Sequence, residues 1–328
     1  MKIKPPYFSM MIKTLFYVLL WCCIPSVYSQ TFPTKPIRIV VGFSPGGAAD
    51  ITARIISHPL GEQLGQSIII DNRTGAGGLI ANARVASSPP DGYTLLVVSA
   101  AAVITPAMRR DMPYDIEKDL TPIALIVKSS HILLNHPSVP IRNVKDLIAL
   151  AKARPGQLSF GHSGFGSANH MAGELFNIMT HVKIKHVPYK GGADNVLAAV
   201  SGQIELTYGS LVSAVNFIKS GQLIALGLTG SKRSALLPEV PTISEAGIPG
   251  YESTAWYALL APSGVAKPIV NQLNSLIVKA GQSVEIKDAF MKQGLDPQTD
   301  SAEQFGEFIH TELTKYKNLA KAGHLKID

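Results

Sequence analysis

The chain has 328 residues, 46% hydrophobic and 16% charged, with two cysteines and a formal net charge of +7 at pH 7. That length can bury one large core or two smaller ones without covalent staples. The positive excess is mild and dispersed, with no basic run interleaved with aromatics, so nucleic acid is not expected as a partner.

The first feature in chain order is a leader. Lys2, Lys4 and Lys13 precede an apolar run from Leu15 to Ile24, and Val27-Tyr28-Ser29 offers small residues where signal peptidase needs them. Residues 1–29 therefore read as a secretory signal cleaved after Ser29, too short for a good spanning helix. Cleavage removes Cys22 and Cys23, so disulfides, thiol catalysis and cysteine–zinc sites are not expected in the mature chain. It also removes three lysines and no acid, leaving +7 − 3 = +4, a balance suited to a small anion. No other apolar stretch reaches spanning length, and the expected product is a soluble exported protein.

A strand over 37–41 runs into the turn Gly42-Phe43-Ser44-Pro45-Gly46-Gly47, and Asp50 opens a helical pattern carrying Ile51, Ile55, Ile56 and Leu60. The turn spells G-x-S-x-G, the signature of a hydrolase nucleophile on a strand–helix elbow. The oxyanion hole of such an elbow uses the N–H of the residue after the serine, and here that residue is Pro45. The competing reading is an anion cradle, since glycines let a ligand approach the backbone and helix starts offer free N–H groups. Asp50 is then a first-turn acid that fixes the loop or bridges a ligand through water.

Next come a strand over 67–70, the glycine loop 71–78, a helix over 79–87 and a strand over 93–99, the alternation of an α/β sheet. A second α/β block begins near His131. It contains helices over 143–153, 168–179, 194–201 and 214–220, and strands over 158–161, 184–188, 204–208 and 223–229. Within it, Gly161-His162-Ser163-Gly164-Phe165-Gly166 precedes the helix at Ala168. Ser167 or Asn169 can cap that helix, leaving N–H groups for an anion as at the opening loop. Tyr208 ends a strand and can face either the core or a cleft. A Pro/Gly-rich stretch over 238–250 leads to a strand over 256–261 and helices over 268–281, 284–293 and 302–322. This tail is either a third domain or a return that completes the first block, and sheet coverage favours the return. Two lobes joined by two crossings leave a cleft, the usual place for a ligand.

Cofactor motifs fail on spacing. Gly75-Ala76-Gly77-Gly78 has Ile80 where a dinucleotide fingerprint needs glycine, and no nucleotide P-loop is present. The nine histidines include no H-x-x-x-H pair, and His162 and His170, eight apart, read as packing or hydrogen-bonding residues. Neither a cofactor nor a metal is expected.

Several stretches together resemble one family. They are Pro36-Ile37-Arg38-Ile39-Val40-Val41 with Phe43, Pro45-Gly46-Gly47 and Asp50; Asn72-Arg73 with Gly75-Ala76-Gly77-Gly78; and Pro90-Asp91-Gly92-Tyr93-Thr94-Leu95-Leu96. Pro113-Tyr114-Asp115 with Lys118-Asp119, Gly164 with Gly166-Ser167 and His170, and Val187-Pro188-Tyr189-Lys190-Gly191 continue the match. Leu237-Pro238-Glu239-Val240-Pro241-Thr242, Glu245-Ala246-Gly247 and Ala261-Pro262 complete it. The chain is similar to the solute-binding receptors of the tripartite tricarboxylate transporter family, the Bug-type periplasmic binding proteins.

The resemblance implies a two-lobed α/β fold of the Venus-flytrap type II class, each lobe a sheet flanked by helices. Lobe 1 would comprise 30–130 plus 252–328, and lobe 2 would comprise 131–251. It implies a periplasmic, monomeric, non-enzymatic protein that grips a small carboxylate largely by backbone groups and ordered waters. A two-component membrane permease is the implied partner. Carried over, the grip falls on Phe43, Pro45, Gly46, Gly47 and Asp50 in the first lobe and on Ser163, Gly164, Gly166, Ser167 and His170 in the second. Ser44, Ser99 and Tyr208 are further ligand-binding candidates read from their own positions. The chain departs from the family at Ser99-Ala100-Ala101-Ala102, where a polar run is usual, and at Glu205 and Tyr208-Gly209, where acidic or amide residues are usual. These departures point to a ligand different from, or less polar than, citrate. The alternatives carried alongside are a secreted serine esterase using Ser44 and a receptor that feeds a signalling system without transport.

Overall fold

In the computed structural model, the described residues are 32–109 and 111–321, so the leader lies outside them. The compact unit that begins at Lys35 is the one described below. Its first elements are β1 (Ile37–Val41), α1 (Ala48–Leu64), β2 (Ile68–Asn72), α2 (Leu79–Ala86), β3 (Thr94–Ser99), α3 (Ala101–Met108) and β4 (Leu120–Asn135). Then come α4 (Val144–Ala153), β5 (Ser159–His162), α5 (Ala168–Thr180), β6 (Lys185–Pro188), α6 (Gly192–Val200), β7 (Leu206–Ser210), α7 (Leu211–Lys219) and β8 (Ile224–Leu228). The last are β9 (Thr254–Pro262), α8 (Lys267–Gln282), α9 (Val284–Met291), β10 (Leu295–Pro297) and α10 (Ala302–Lys321). Among the described residues no helix is long and apolar enough to cross a membrane.

The strands form one mixed sheet in the order β2-β1-β3-β9-β4-β7-β5-β6, with β8 and β10 also paired to β4. β4 is the common member. Its residues through Ser130 pair with β9, and from His131 onward it pairs with β7 and β8. Two arms of the sheet thus meet on one sixteen-residue strand. In the second arm, β4's alternation decides the core. Leu133 joins Leu147 of α4 and Phe176 of α5 on one face, while Ile132 and Leu134 join Val196 and Ala199 of α6 on the other.

The C-terminal helices cover the first arm. Asn274 of α8 donates to the Ile123 carbonyl of β4 at 2.8 Å, and Phe305 and Phe308 of α10 meet Trp256 of β9 edge-on. Helix starts are set by local chemistry. Asn143, Ser167, Ser210 and Ser283 each cap a helix by accepting a backbone N–H from inside its first turn. α1 begins at Ala48, two residues before the expected start, because extended Gly47 occupies the N-cap position. α3, β4 and β10 were not anticipated from sequence. α3 hides behind Pro106 and an uncapped start, and β4 is apolar on both faces, so neither shows a clear period.

Candidate functional site

A cavity of about 30 Å³ lies where the two arms face each other. Four helix starts reach it: Ala48 and Ala49 of α1, Ser167 to Asn169 at α5, Gly192 of α6, and Ser210, which caps α7. Strand residues Ser99, His131, Ala255 and Tyr257 complete much of the rest, with Phe43 and Ser163. Among the described residues no lysine, arginine, aspartate or glutamate lines it. His131 is uncharged near neutral pH, because burial pushes its imidazole down to about 4.

The positive potential comes from backbone. The first carbonyl of α1 is engaged by the Ile51 N–H and that of α5 by the Met171 N–H. The N–H groups of Ala48, Ala49, Ala168 and Asn169 therefore have no acceptor among the described residues. Each helix start carries about half a positive charge, so several converging on one cavity favour an anion.

The first-arm loop is held by Asp50. One carboxylate oxygen accepts from the Gly46 N–H at 2.9 Å and Arg54 Nε at 2.8 Å, and the other accepts from Asn72 Nδ2 at 3.0 Å. Asn72 Nδ2 also donates to the Phe43 carbonyl at 3.0 Å. Burial alone would raise the Asp50 carboxyl, but these bonds outweigh it and hold the group below the usual carboxylate range. The second-arm loop is tied by Asn169, whose Oδ1 accepts from Ser163 Oγ at 2.9 Å and whose Nδ2 donates to the Tyr208 carbonyl at 2.9 Å.

The arms touch without room for side chains. A Cβ on Gly77 would lie 2.7 Å from the Phe165 carbonyl oxygen, and one on Gly164 would lie 2.7 Å from the Gly77 backbone. A Cβ on Gly166 would strike Thr105. Ser44 Oγ donates to Asp194 across the same gap, and Ser213 Oγ donates to the Gly46 carbonyl at 3.4 Å.

Of the residues singled out from sequence, Phe43, Gly47, Ser99, Ser163 and Ser167 line the cavity. The others sit around it. Pro45 and Gly46 are exposed on the rim, Ser44 is engaged by Asp194, and Asp50 organises the loop from behind. Gly164 and Gly166 form the seam with the first arm. The Tyr208 ring is in the core against Phe160, and His170 lies in a cluster with His162 and His186. Sequence reasoning missed Ala48 and Ala49, one residue beyond the glycine turn, along with Gly192, Ser210, His131 and Tyr257. The serine cap before α7 was the one local signal available for these; the strand residues carry none.

Residues 52–325 match the profile described as "Tripartite tricarboxylate transporter family receptor". Protein BugT of Bordetella pertussis is 34% identical over 303 residues, 92% of this chain and 93% of its own. The R. palustris protein Rpa4515, solved with adipate, superposes with a TM-score of 0.85 at 36% identity, covering 88% of this chain and 97% of that one. MatC from Rhodopseudomonas palustris, solved with bound malate, gives 0.82 at 31% identity, covering 88% and 99%. The two-armed sheet is thus the two-lobed α/β fold of periplasmic binding proteins. On sequence and fold together, this chain is a member of the tripartite tricarboxylate transporter receptor family.

Proposed function

We propose that this protein captures a small organic anion, a carboxylate, in the cavity between its arms, without chemical turnover. The arms would act as the two lobes, 30–130 plus 252–328 and 131–251. One observation carries the reading: four helix starts, those of α1 and α5 with unengaged N–H groups, face a cavity lined by no charged side chain among the described residues. The adipate- and malate-bound relatives support the ligand class. Gly47, Ser163 and Ser167 would position oxygens and waters, Ser44 would tie the arms together through Asp194, and the glycine seam would exclude bulk water on closing, strengthening each hydrogen bond.

Against hydrolysis at Ser44 stand Pro45, which has no N–H, and the Asp194 carboxylate, which takes the hydroxyl where an elbow requires a histidine. The leader over 1–29 supports export to the periplasm, and family membership supports delivery to a two-component permease. The cavity has room for only two or three waters. Admission of a larger acid therefore requires the seam at Gly77 and Gly164 to part and close again.

A thermal-shift screen of mono-, di- and tricarboxylates, with neutral sugars as controls, tests the proposal. An acid at a hundred times its Kd adds about 2.7 kcal/mol, or a rise of several degrees in Tm for a chain of this size. Shifts with sugars and none with any acid would overturn the reading.

A further inference from the structure

Behind the second-arm loop three histidines come together from separate elements. His162 ends β5, His170 lies in the first turn of α5, and His186 is on β6. Ring centroids are 4.4 Å apart for His162–His170, 4.9 Å for His170–His186 and 5.5 Å for His162–His186. One ring nitrogen from each lies within 4.8 Å of the other two. Glu174, a helical turn beyond His170, brings Oε1 to 3.9 Å from His170 Nε2. The Nε2 atoms of His162 and His170 are buried and have no hydrogen-bond partner among the described residues. Buried polar atoms without partners are rare and ask for an explanation.

We propose that His162, His170 and His186, with Glu174 as fourth donor, bind a divalent transition-metal cation of the zinc–copper class. Three imidazoles and a carboxylate suit such an ion and its four-coordinate geometry. The outer contact of His162 is also of the right kind. His162 Nδ1 lies 2.8 Å from the Gly164 carbonyl oxygen, against 3.2 Å for the Gly164 N–H. Donation to the carbonyl places the proton on Nδ1 and leaves the Nε2 lone pair for a metal.

His170 Nδ1 accepts from the Gly166 N–H at 3.3 Å, which places the proton of the free ring on Nε2. Ligation through Nε2 shifts that proton to Nδ1 and releases the Gly166 N–H. His186 is exposed and Phe165, whose ring edges onto all three imidazoles, is 44% exposed, so the ion enters from solvent. With metal–nitrogen distances of about 2.0–2.1 Å, the nitrogens must draw closer together, and exposed His186 is the one with freedom to swing.

The test uses the untagged mature chain, stripped with a chelator and titrated with Co²⁺ and then Zn²⁺. The expected result is saturation at one equivalent of Co²⁺, with the intense visible absorption of four-coordinate cobalt, lost on adding one equivalent of Zn²⁺. His186→Ala alters an exposed side chain and should raise the Kd for Zn²⁺ at least tenfold, and Glu174→Gln should raise it in the same direction. Circular dichroism melts of both variants show whether the fold is retained. Absence of cobalt absorption at one equivalent would overturn the proposal. So would a Zn²⁺ affinity that both folded variants leave unchanged, which would place the metal on surface groups such as His58 and Glu62.

Discussion

Gly77→Ala separates closure of the seam from stability of the fold. Gly77 sits at φ +65°, and the added Cβ would lie 2.7 Å from the Phe165 carbonyl oxygen. Ordinary contact begins at 3.4 Å, so the loops would have to part by about 0.7 Å. An alanine in the left-handed region costs roughly 1 kcal/mol in any state of the arms. The clash costs a further 1–3 kcal/mol or so, but only when the seam is closed. Gly65→Ala supplies the control, since Gly65 has φ +62° and nothing within 4 Å of its would-be Cβ. Both variants should lose about 2–4 °C in Tm. Only Gly77→Ala should bind more weakly, by about 5- to 150-fold at 1.4 kcal/mol per decade. Isothermal titration with the acid that stabilises the wild type most reads this directly. Equal affinities for the two variants would show that capture does not use the Gly77–Phe165 contact.

Three further outcomes are expected. Ser44→Ala removes the hydroxyl that meets Asp194 and should weaken acid binding several-fold, about 1 kcal/mol; loss of a measurable ester turnover instead would restore the nucleophile reading. Asp50→Asn should lower stability by about 2 kcal/mol at pH 6, since the native carboxylate accepts charge-assisted bonds. The folded-state carboxyl titrates below its unfolded value, so its contribution is present above about pH 4 and fades as pH falls through the lower, folded value. Melts of both proteins should therefore converge in acid, and a gap that persists there would contradict the assignment. Finally, His131 is held neutral by burial, so acid affinity with chelator present should be flat from about pH 5.5 to 8. A tenfold gain toward acid would mean that His131 takes up a proton with the ligand.

The parts of this protein legible in sequence are the ones decided locally. The glycine turn after β1, the Ser167 cap of α5 and the alternation of strands with helices each announce themselves within a few residues. β4 does not, because Ile123 to Val127 are buried without alternation and nothing marks a strand end within its sixteen residues. The cavity was half legible for the same reason: its loops carry glycine signals, whereas His131 and Tyr257 are ordinary strand positions until β4 and β9 lie side by side. The histidine cluster escaped because an H-x-x-x-H search examines one helix, and His162 and His170 straddle a loop. His186 arrives only through the parallel pairing of β5 with β6.

Thr229 ties two distant stretches of the chain together. Its hydroxyl accepts from the His131 N–H at 2.9 Å and lies 3.2 Å from the His131 carbonyl oxygen, and its own N–H donates to that carbonyl at 2.9 Å. Its carbonyl in turn accepts from the Ser253 N–H at 2.7 Å. Both passages of the chain between the arms are therefore buckled at one threonine, and His131, in that buckle, is also a wall of the cavity. Under the proposed function, an acid slightly longer or wider than the cavity would act as a shim at this junction, and the distant rims would magnify its size into an angle. A partner that docks across both rims would then gauge cargo by the gape of the jaws, without touching the cargo at all.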